Sequence, residues 1–288
     1  MKDLIFFNHF HNGDLHVSRT YINDIIENYK MNTSNIYYEH KCDMEILKDL
    51  DVIQNKIITV NDEKILYIEK DNKICFNTWY NPYAQPLFNV YGCSLKTLHA
   101  NFKILYDKLN LQIKDMDFYI PNINFSKINT DNIDIFMKKN NYDKLIFISN
   151  GTVLSGQSIN FNFDQIISEL CKIYKSYLFI VSNDTLLKFD NLIMSSNIIG
   201  KNNCDLNENA YLSTFCDVII GRLSGTHTFS YIKENITGNK KQINISISNI
   251  NPYFGLEEFI AKNKQFIWLR DMNVDIITKR IKEIIHEI

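Results

Sequence analysis

The chain reads as an α/β protein of two units, each with a parallel sheet covered by helices. Three observations predict this. Short apolar runs alternate with segments of helical period along most of the chain, and such alternation marks parallel sheets with helices on both faces. A polar stretch rich in Asn and Asp, 122–143, separates two such series. Six of the nine glycines (Gly13, Gly151, Gly156, Gly200, Gly221 and Gly225) fall where a strand is expected to give way to a helix. That is the edge at which open α/β sheets hold ligands, so the placement predicts close approach of a ligand to the backbone.

The elements follow in order. Leu4 to Phe7 predicts a strand, and Leu15, Ser18, Ile22, Ile25, Ile26 and Tyr29 share one helical face. Ile36 to Tyr38 predicts a second strand and Met44 to Leu50 a short helix. Residues 57–80 read as hairpin strands around Asn61-Asp62 and Asp71-Asn72, and 81–93 as a long loop with two of the four prolines. Leu95, Leu98, Phe102, Leu105 and Leu109 make an amphipathic helix, and Phe118 to Ile120 a strand ended by Pro121. The second series has strands at Leu145 to Ile148, Tyr177 to Val181, Ile198-Ile199, Val218 to Ile220, Ile243 to Ile247 and Phe266 to Leu269. Its helices are marked by Phe163 to Tyr174, Leu206 to Phe215, and Ile277, Ile281, Ile284 and Ile288.

Bulk properties exclude several classes. The 288 residues suit one large domain or two, and 45% hydrophobic content supplies a core. A net charge of −2, with only the short pairs Lys138-Lys139 and Lys240-Lys241, argues against nucleic acid as a partner. None of the six cysteines is spaced as C-x-x-C, so reduced thiols in the cytoplasm are expected rather than a disulfide frame or a zinc site. The apolar run at Leu4 to Phe7 is too short for a signal peptide, and no stretch nears the roughly 20 apolar residues of a membrane span.

Residues 217–230 carry the most chemistry. A buried strand ending at Gly221 turns through Ser224-Gly225-Thr226 into a helix-like run. Such a turn aims backbone N–H groups at one point, where a helix N-terminus adds about half a positive charge. It predicts a phosphate seat. A second constellation, Ile148-Ser149-Asn150-Gly151-Thr152 through Gln157, crowds side-chain donors at a strand end. A third runs from Gly200-Lys201 to Asp205-Leu206-Asn207-Glu208-Asn209-Ala210. The fourth is His9-Phe10-His11-Asn12-Gly13-Asp14. There Asp14 is either a general base for a hydroxyl or a helix N-cap. His11 and His16 are either proton shuttles or phosphate ligands, or ordinary polar histidines. His9, His11 and Asp14 match no strong metal-binding spacing. Trp79-Tyr80-Asn81-Pro82-Tyr83 offers aromatic faces that suit a sugar ring or simple packing. No G-x-G-x-x-G, G-x-x-x-x-G-K-[ST] or G-x-S-x-G occurs, which argues against dehydrogenase, P-loop and hydrolase-elbow chemistry.

The pieces also stand in a telling order: Gly13-Asp14 after the first strand, then Asn150-Gly151-Thr152, Ile180-Val181-Ser182-Asn183-Asp184, Gly200-Lys201, Cys216-Asp217-Val218-Ile219-Ile220-Gly221 and Ser224-Gly225-Thr226-His227. In this order they resemble the GT-B glycosyltransferases, closest to the lipopolysaccharide heptosyltransferases. The resemblance spans most of 145–235 and 4–30. Leu223 stands where that family usually has Asp, and Thr228 where it usually has His.

The resemblance implies two Rossmann-like domains facing across a cleft. An acceptor domain would cover 1–125 and a nucleotide-sugar domain 143–273, with a terminal helix, 274–288, packed back on the first. It implies Asp14 as catalytic base with His11 beside it. Donor contacts would come from Gly13, Thr152, Ser182, Gly200, Lys201, Arg222, Ser224, Gly225, Thr226 and His227, and acceptor contacts from Trp79 and Tyr80. The nucleotide sugar would be the co-substrate, with no cofactor and no metal. A glycan or glycolipid would be the acceptor, with contact at a membrane surface compatible with it. A non-catalytic nucleotide-sugar or glycan-binding module, or a sugar-nucleotide epimerase, is an alternative on the same fold.

Overall fold

The computed structural model describes residues 2–30, 33–79, 95–154, 158–201, 205–237, 240–245, 266–271 and 273–288. The chain divides into two compact units, with the boundary between Lys127 and Ile128.

In the first unit, β1 (Lys2–Asn8) is followed by α1 (Asn12–Tyr29), β2 (Thr33–His40), β3 (Ile53–Asn55), β4 (Tyr67–Lys70), β5 (Lys73–Asn77) and α2 (Leu95–Leu109). The sheet order is β3-β2-β1-β5-β4. Only the β4–β5 pair is antiparallel. β1 is central, and Leu4, Ile5, Phe6 and Phe7 are all buried because helices and loops cover both faces. The hairpin expected at Asp71-Asn72 forms, with φ of 51° and 60° at those residues, the left-handed pair that a two-residue hairpin loop demands. The one expected at Asn61-Asp62 does not. Asp62 Oδ1 takes the N–H of Lys64 (2.9 Å) in a local turn, and β3 instead runs parallel to β2. Met44–Leu47 is a 3-10 helix. The strand expected at Phe118 to Ile120 is also a 3-10 turn, Met116–Tyr119. Its apolar residues pack on helices rather than a sheet edge. The Tyr119 ring stacks on Tyr21 of α1 at 3.9 Å, and its hydroxyl donates to Asp24 (3.0 Å).

The second unit runs α3 (Asp131–Lys139), β6 (Lys144–Ser149), α4 (Asp164–Ile173), β7 (Tyr177–Val181), β8 (Leu192–Met194), α5 (Ser195–Ile199), α6 (Leu206–Ser213), β9 (Val218–Arg222), α7 (Lys233–Thr237), β10 (Lys241–Ile245), β11 (Phe266–Leu269) and α8 (Val274–His286). Its sheet order is β11-β10-β9-β6-β7-β8, every pair parallel. Alternate residues of β6 feed two cores. Ile146 and Ile148 pack with α4 and α8, while Phe147 packs with Ile133, Ile180, Leu212 and Ile219.

Three expectations are corrected here. Within the polar stretch 122–143 lies α3, whose Ile133 enters the second core. Acidic residues in its first turn and Lys138-Lys139 in its last complement the helix dipole. Ile198-Ile199 is helical, closing α5 against Gly200, whose φ of 73° makes the left-handed C-cap; the strand lies earlier, at Leu192–Met194. The terminal helix α8 does not pack back on the first unit as expected. It completes the second unit's core through Ile277, Ile281, Ile284 and Ile285. The Lys282–Glu169 ion pair (2.9 Å) and the Tyr174 hydroxyl on Lys282 O (3.0 Å) seal that contact.

Candidate functional site

In each sheet the chain leaves the first strand in one direction and later returns to its other side. The crevice at the carboxyl ends of those two strands is where such sheets bind ligands.

In the first unit that point lies between β1 and β5. Two asparagines end these strands in the same way. Asn8 Oδ1 accepts from the N–H of Phe10 (2.9 Å), and Asn77 Oδ1 from the N–H of Trp79 (3.0 Å). These paired side-chain turns bring the Phe10 and Trp79 rings into a stack at 4.0 Å. The next residues start α1. His11 is the N-cap and is exposed; Asp14 is the third helical residue and only 2% exposed. Asp14 Oδ2 accepts from His11 N (3.1 Å), while Asp14 N donates to His11 O (3.0 Å). Asp14 is therefore not the N-cap itself; it closes a capping box from the third helical position. Gly13 is buried in the same turn, and His16 is wholly buried on α1, so it is no solvent-facing shuttle. Behind the turn, the Tyr38 hydroxyl bridges Ser18 (3.2 Å) and Thr78 (2.6 Å). Trp79 is half-buried at this edge; Tyr80 and the 81–93 loop lie outside the described residues.

In the second unit the point lies between β6 and β9, and two depressions open there. The smaller, about 100 Å³, has Ser149, Ser182, Asn183, Asp205, Asn209 and Thr226 among its lining. The broader cleft, about 510 Å³, includes Gly151, Thr152, Asp164, Asn183, Asp184 and Arg222. Asn150 ties the loops together: its Oδ1 accepts from Asn183 N (2.8 Å), and its Nδ2 donates to Asn183 O (3.2 Å). A Cβ on Gly151 would stand 3.0 Å from Asn183 Oδ1 and 3.5 Å from Thr226 Oγ1, so this glycine permits the loops to meet.

The structure thus gathers Thr152, Ser182, Arg222 and Thr226 around the depressions, but it corrects the expected phosphate seat. No helix of useful length follows the turn; His227–Ser230 is one 3-10 turn. Its amides are spent internally: His227 N on Ser224 Oγ (3.2 Å), Thr228 N on Ser224 O (3.1 Å) and Phe229 N on Thr226 O (3.2 Å). Ser224 Oγ also meets Thr226 Oγ1 (3.0 Å), and Gly225 O accepts from Thr228 Oγ1 (2.6 Å).

Three further donor candidates have structural tasks. His227 is 1% exposed, with Nε2 on Asn244 Oδ1 (2.9 Å), and burial pushes its pKa down to about 4, so the ring is neutral. The ring lies directly on Gly221, which explains that glycine without a ligand. Gly200 caps α5. Lys201 pairs with Glu208 at 3.2 Å. Arg222 lines the cleft, yet its guanidinium sits between the Phe161 and Phe163 rings (4.8 and 4.6 Å) and donates to the carbonyls of Asn150, Gly151 and Phe161. It clamps the loop that follows β6.

Two residues that the sequence placed in a polar run without a role line the smaller pocket: Asp205, just before α6, and Asn209, one turn on. Their spacing of four was the available signal, since it puts both on one helical face. Burial, opposed by a hydrogen bond from Asn209, raises the Asp205 carboxyl to about 6. Asn209 Oδ1 is buried without a partner among the described residues.

No helix among the described residues is long and apolar enough to cross a membrane. No protein-family profile matches the chain, and no curated protein sequence does. Solved structures do match. The chain is similar to E. coli heptosyltransferase WaaC with ADP, at 6% identity, 98% of this chain, 99% of that chain and a TM-score of 0.53. It is similar to E. coli ADP-heptose lps heptosyltransferase II, at 11% identity, 100% and 98% coverage and a TM-score of 0.51. It is also similar to the S. aureus MnaA-UDP co-structure, at 11% identity, 99% and 88% coverage and a TM-score of 0.53. With two mainly parallel sheets, each with a carboxyl-end switch point, the chain has the heptosyltransferase-like GT-B fold.

Proposed function

We propose that the protein is a glycosyltransferase that moves a sugar from a nucleotide-sugar donor to a hydroxyl of a glycan or glycolipid acceptor. The observation that carries this reading is the convergence of Ser149, Ser182, Asn183, Asp205 and Thr226 at the switch point of the second sheet. Similar structures carry ADP, UDP or an ADP-linked fluoro-heptose. The donor binds at that edge. Asp14 accepts the proton of the acceptor hydroxyl as its oxygen attacks the anomeric carbon and the nucleoside diphosphate leaves. The capping box holds the carboxylate in place through His11 N, leaving its other oxygen for the acceptor. A positioned base of this kind contributes about 10²–10⁴-fold. The Phe10–Trp79 stack gives the acceptor sugar a flat face beside the base. No cofactor or metal is assigned.

Asp14→Asn tests the reading, because asparagine still offers Oδ1 to His11 N and keeps the helix cap. Transfer from a panel of nucleotide sugars should fall at least tenfold, with folding and donor affinity unchanged. Full activity in the variant removes Asp14 from the mechanism. Donor binding by the natural chain without transfer or hydrolysis replaces the enzyme with a binding module, the reading favoured by the near-complete burial of Asp14.

A further inference from the structure

The smaller pocket of the second unit has a chemical polarity. Phe147, Leu206, Ala210 and Phe229 give it apolar walls. Between them stand the Asp205 carboxyl, the Asn183 amide and the Ser149 hydroxyl. Ser149 is 4% exposed and its hydroxyl has no hydrogen-bond partner among the described residues. Neither Lys nor Arg is among the described residues that line the pocket, and nearby Lys201 is bound to Glu208. A carboxylate without a cation repels phosphate, so the diphosphate does not enter here. The pocket suits a flat ring with apolar faces and N–H donors on its rim. Its volume of about 100 Å³ is less than the roughly 150 Å³ that takes up benzene, so it admits the edge of a ring rather than a whole nucleoside.

The bases differ in what that edge offers. Uracil has one N–H between two carbonyls, which a carboxylate disfavours. Adenine and cytosine each pair an amino donor with a ring-nitrogen acceptor. Guanine alone presents two adjacent donors, N1–H and the 2-amino group, which match the two oxygens of a carboxylate as a bidentate pair.

Resting on the donor reading above, we propose that this pocket takes the nucleobase of the donor and that the Asp205 carboxylate selects guanine through its N1–H and 2-amino pair. Asn209 acts as the positioning residue. It lies one helical turn on, its backbone N–H donates to Asp205 O (2.7 Å), and its side chain hydrogen-bonds the carboxyl. Ser149 and Asn183 supply donors for the guanine O6.

Calorimetric titration of the full chain with GDP, IDP, ADP, UDP and 2′,3′-dideoxy-GDP tests this. A good bidentate pair discriminates by about 10- to 100-fold. GDP should therefore bind at least about tenfold tighter than ADP or UDP, with IDP, which lacks the 2-amino group, in between. Dideoxy-GDP should match GDP. Asp205→Asn should erase the advantage of GDP over IDP; the comparison of natural ligands on the natural chain does not depend on that variant folding. Equal affinity for GDP and ADP overturns the assignment while leaving the donor reading intact. If dideoxy-GDP loses as much as Asp205→Asn does, the carboxylate serves the ribose diol and the guanine assignment falls. A chain that binds no nucleoside diphosphate overturns both readings.

Discussion

Gly221→Ala puts the explanation of strand β9 to a quantitative test. A methyl group at this position would stand 2.2 Å from His227 Nδ1, 2.6 Å from Cγ and 2.7 Å from Cε1. Carbon contacts are favourable at roughly 3.5–4.0 Å, so the overlap exceeds about 1 Å. The ring has little room to retreat. It is 1% exposed and tied to Asn244, which pairs with Gly221 across β9 and β10 and also accepts from the Tyr231 hydroxyl. Overpacking a core costs about 1–3 kcal/mol, and an overlap this deep in a central strand belongs near about 3 kcal/mol. At roughly 2–4 °C per kcal/mol for a unit of this size, the melting transition should fall by about 6–12 °C in scanning calorimetry. Adding His227→Ala removes the obstructing ring, so the double variant should be more stable than the summed singles by about 1–3 kcal/mol, as expected for residues in contact. A Gly221→Ala shift under about 2 °C, or additive single effects, would refute the reasoning and return Gly221 to the ligand-approach explanation.

Other expectations follow from the same contacts. Arg222→Lys removes the planar fork that serves three carbonyls; stranded acceptors should cost about 1–3 kcal/mol, and hydrogen exchange should rise at 150–154 and 160–163. Arg19→Met leaves the Asp49 carboxylate, paired at 3.2 Å and 1% exposed, without its cation. Denaturant unfolding should show a loss of about 3–5 kcal/mol, with partial rescue by Asp49→Asn. Burial raises Asp205 from 3.8 to about 6, with Glu208 adding to the rise and Lys201 opposing it. The folded chain then holds this proton more tightly than the unfolded one, so this group's contribution favours folding at low pH and is lost as pH rises from about 4 through 6. Ligand binding to the ionised carboxylate runs the opposite way: nucleotide affinity should weaken as pH falls through about 6, and Asp205→Asn should flatten that profile.

Much of the sheet was legible because buried parallel strands are unbroken apolar runs. Leu4 to Phe7, Tyr177 to Val181 and Val218 to Ile220 could be little else. Long periodic helices such as α1, α2 and α8 were equally plain. Short runs were not, since a pair such as Ile198-Ile199 suits a strand or the last turn of a helix, and Gly200 decides for the helix only once its left-handed cap is seen. Helix α3 was hidden by its polar surface, although Thr130, the early aspartates and the late lysines mark its ends. At the site, Ser182 and Thr226 were found from their place at strand ends. His227 misled because a histidine in a small polar turn suggests a ligand contact; only the β9–β10 register, which sets Asn244 beside Gly221, turns its ring inward. Asp205 was passed over because an aspartate ahead of a helix has an ordinary local use, and nothing in the chain's order reveals the neighbours that bury it.

The inward ring of His227 also bears on how tightly a guest is held. It roots the turn that carries Thr226 and Ser230 in the paired strands beneath. Fixing a mobile side chain on association costs about 0.5–1.5 kcal/mol. Here that cost is settled when the polypeptide folds, so one flank of the cavity is rigid before any molecule arrives. Loosening Asn244 should therefore slacken the grip on a nucleotide from behind, although Asn244 is not among the described lining residues.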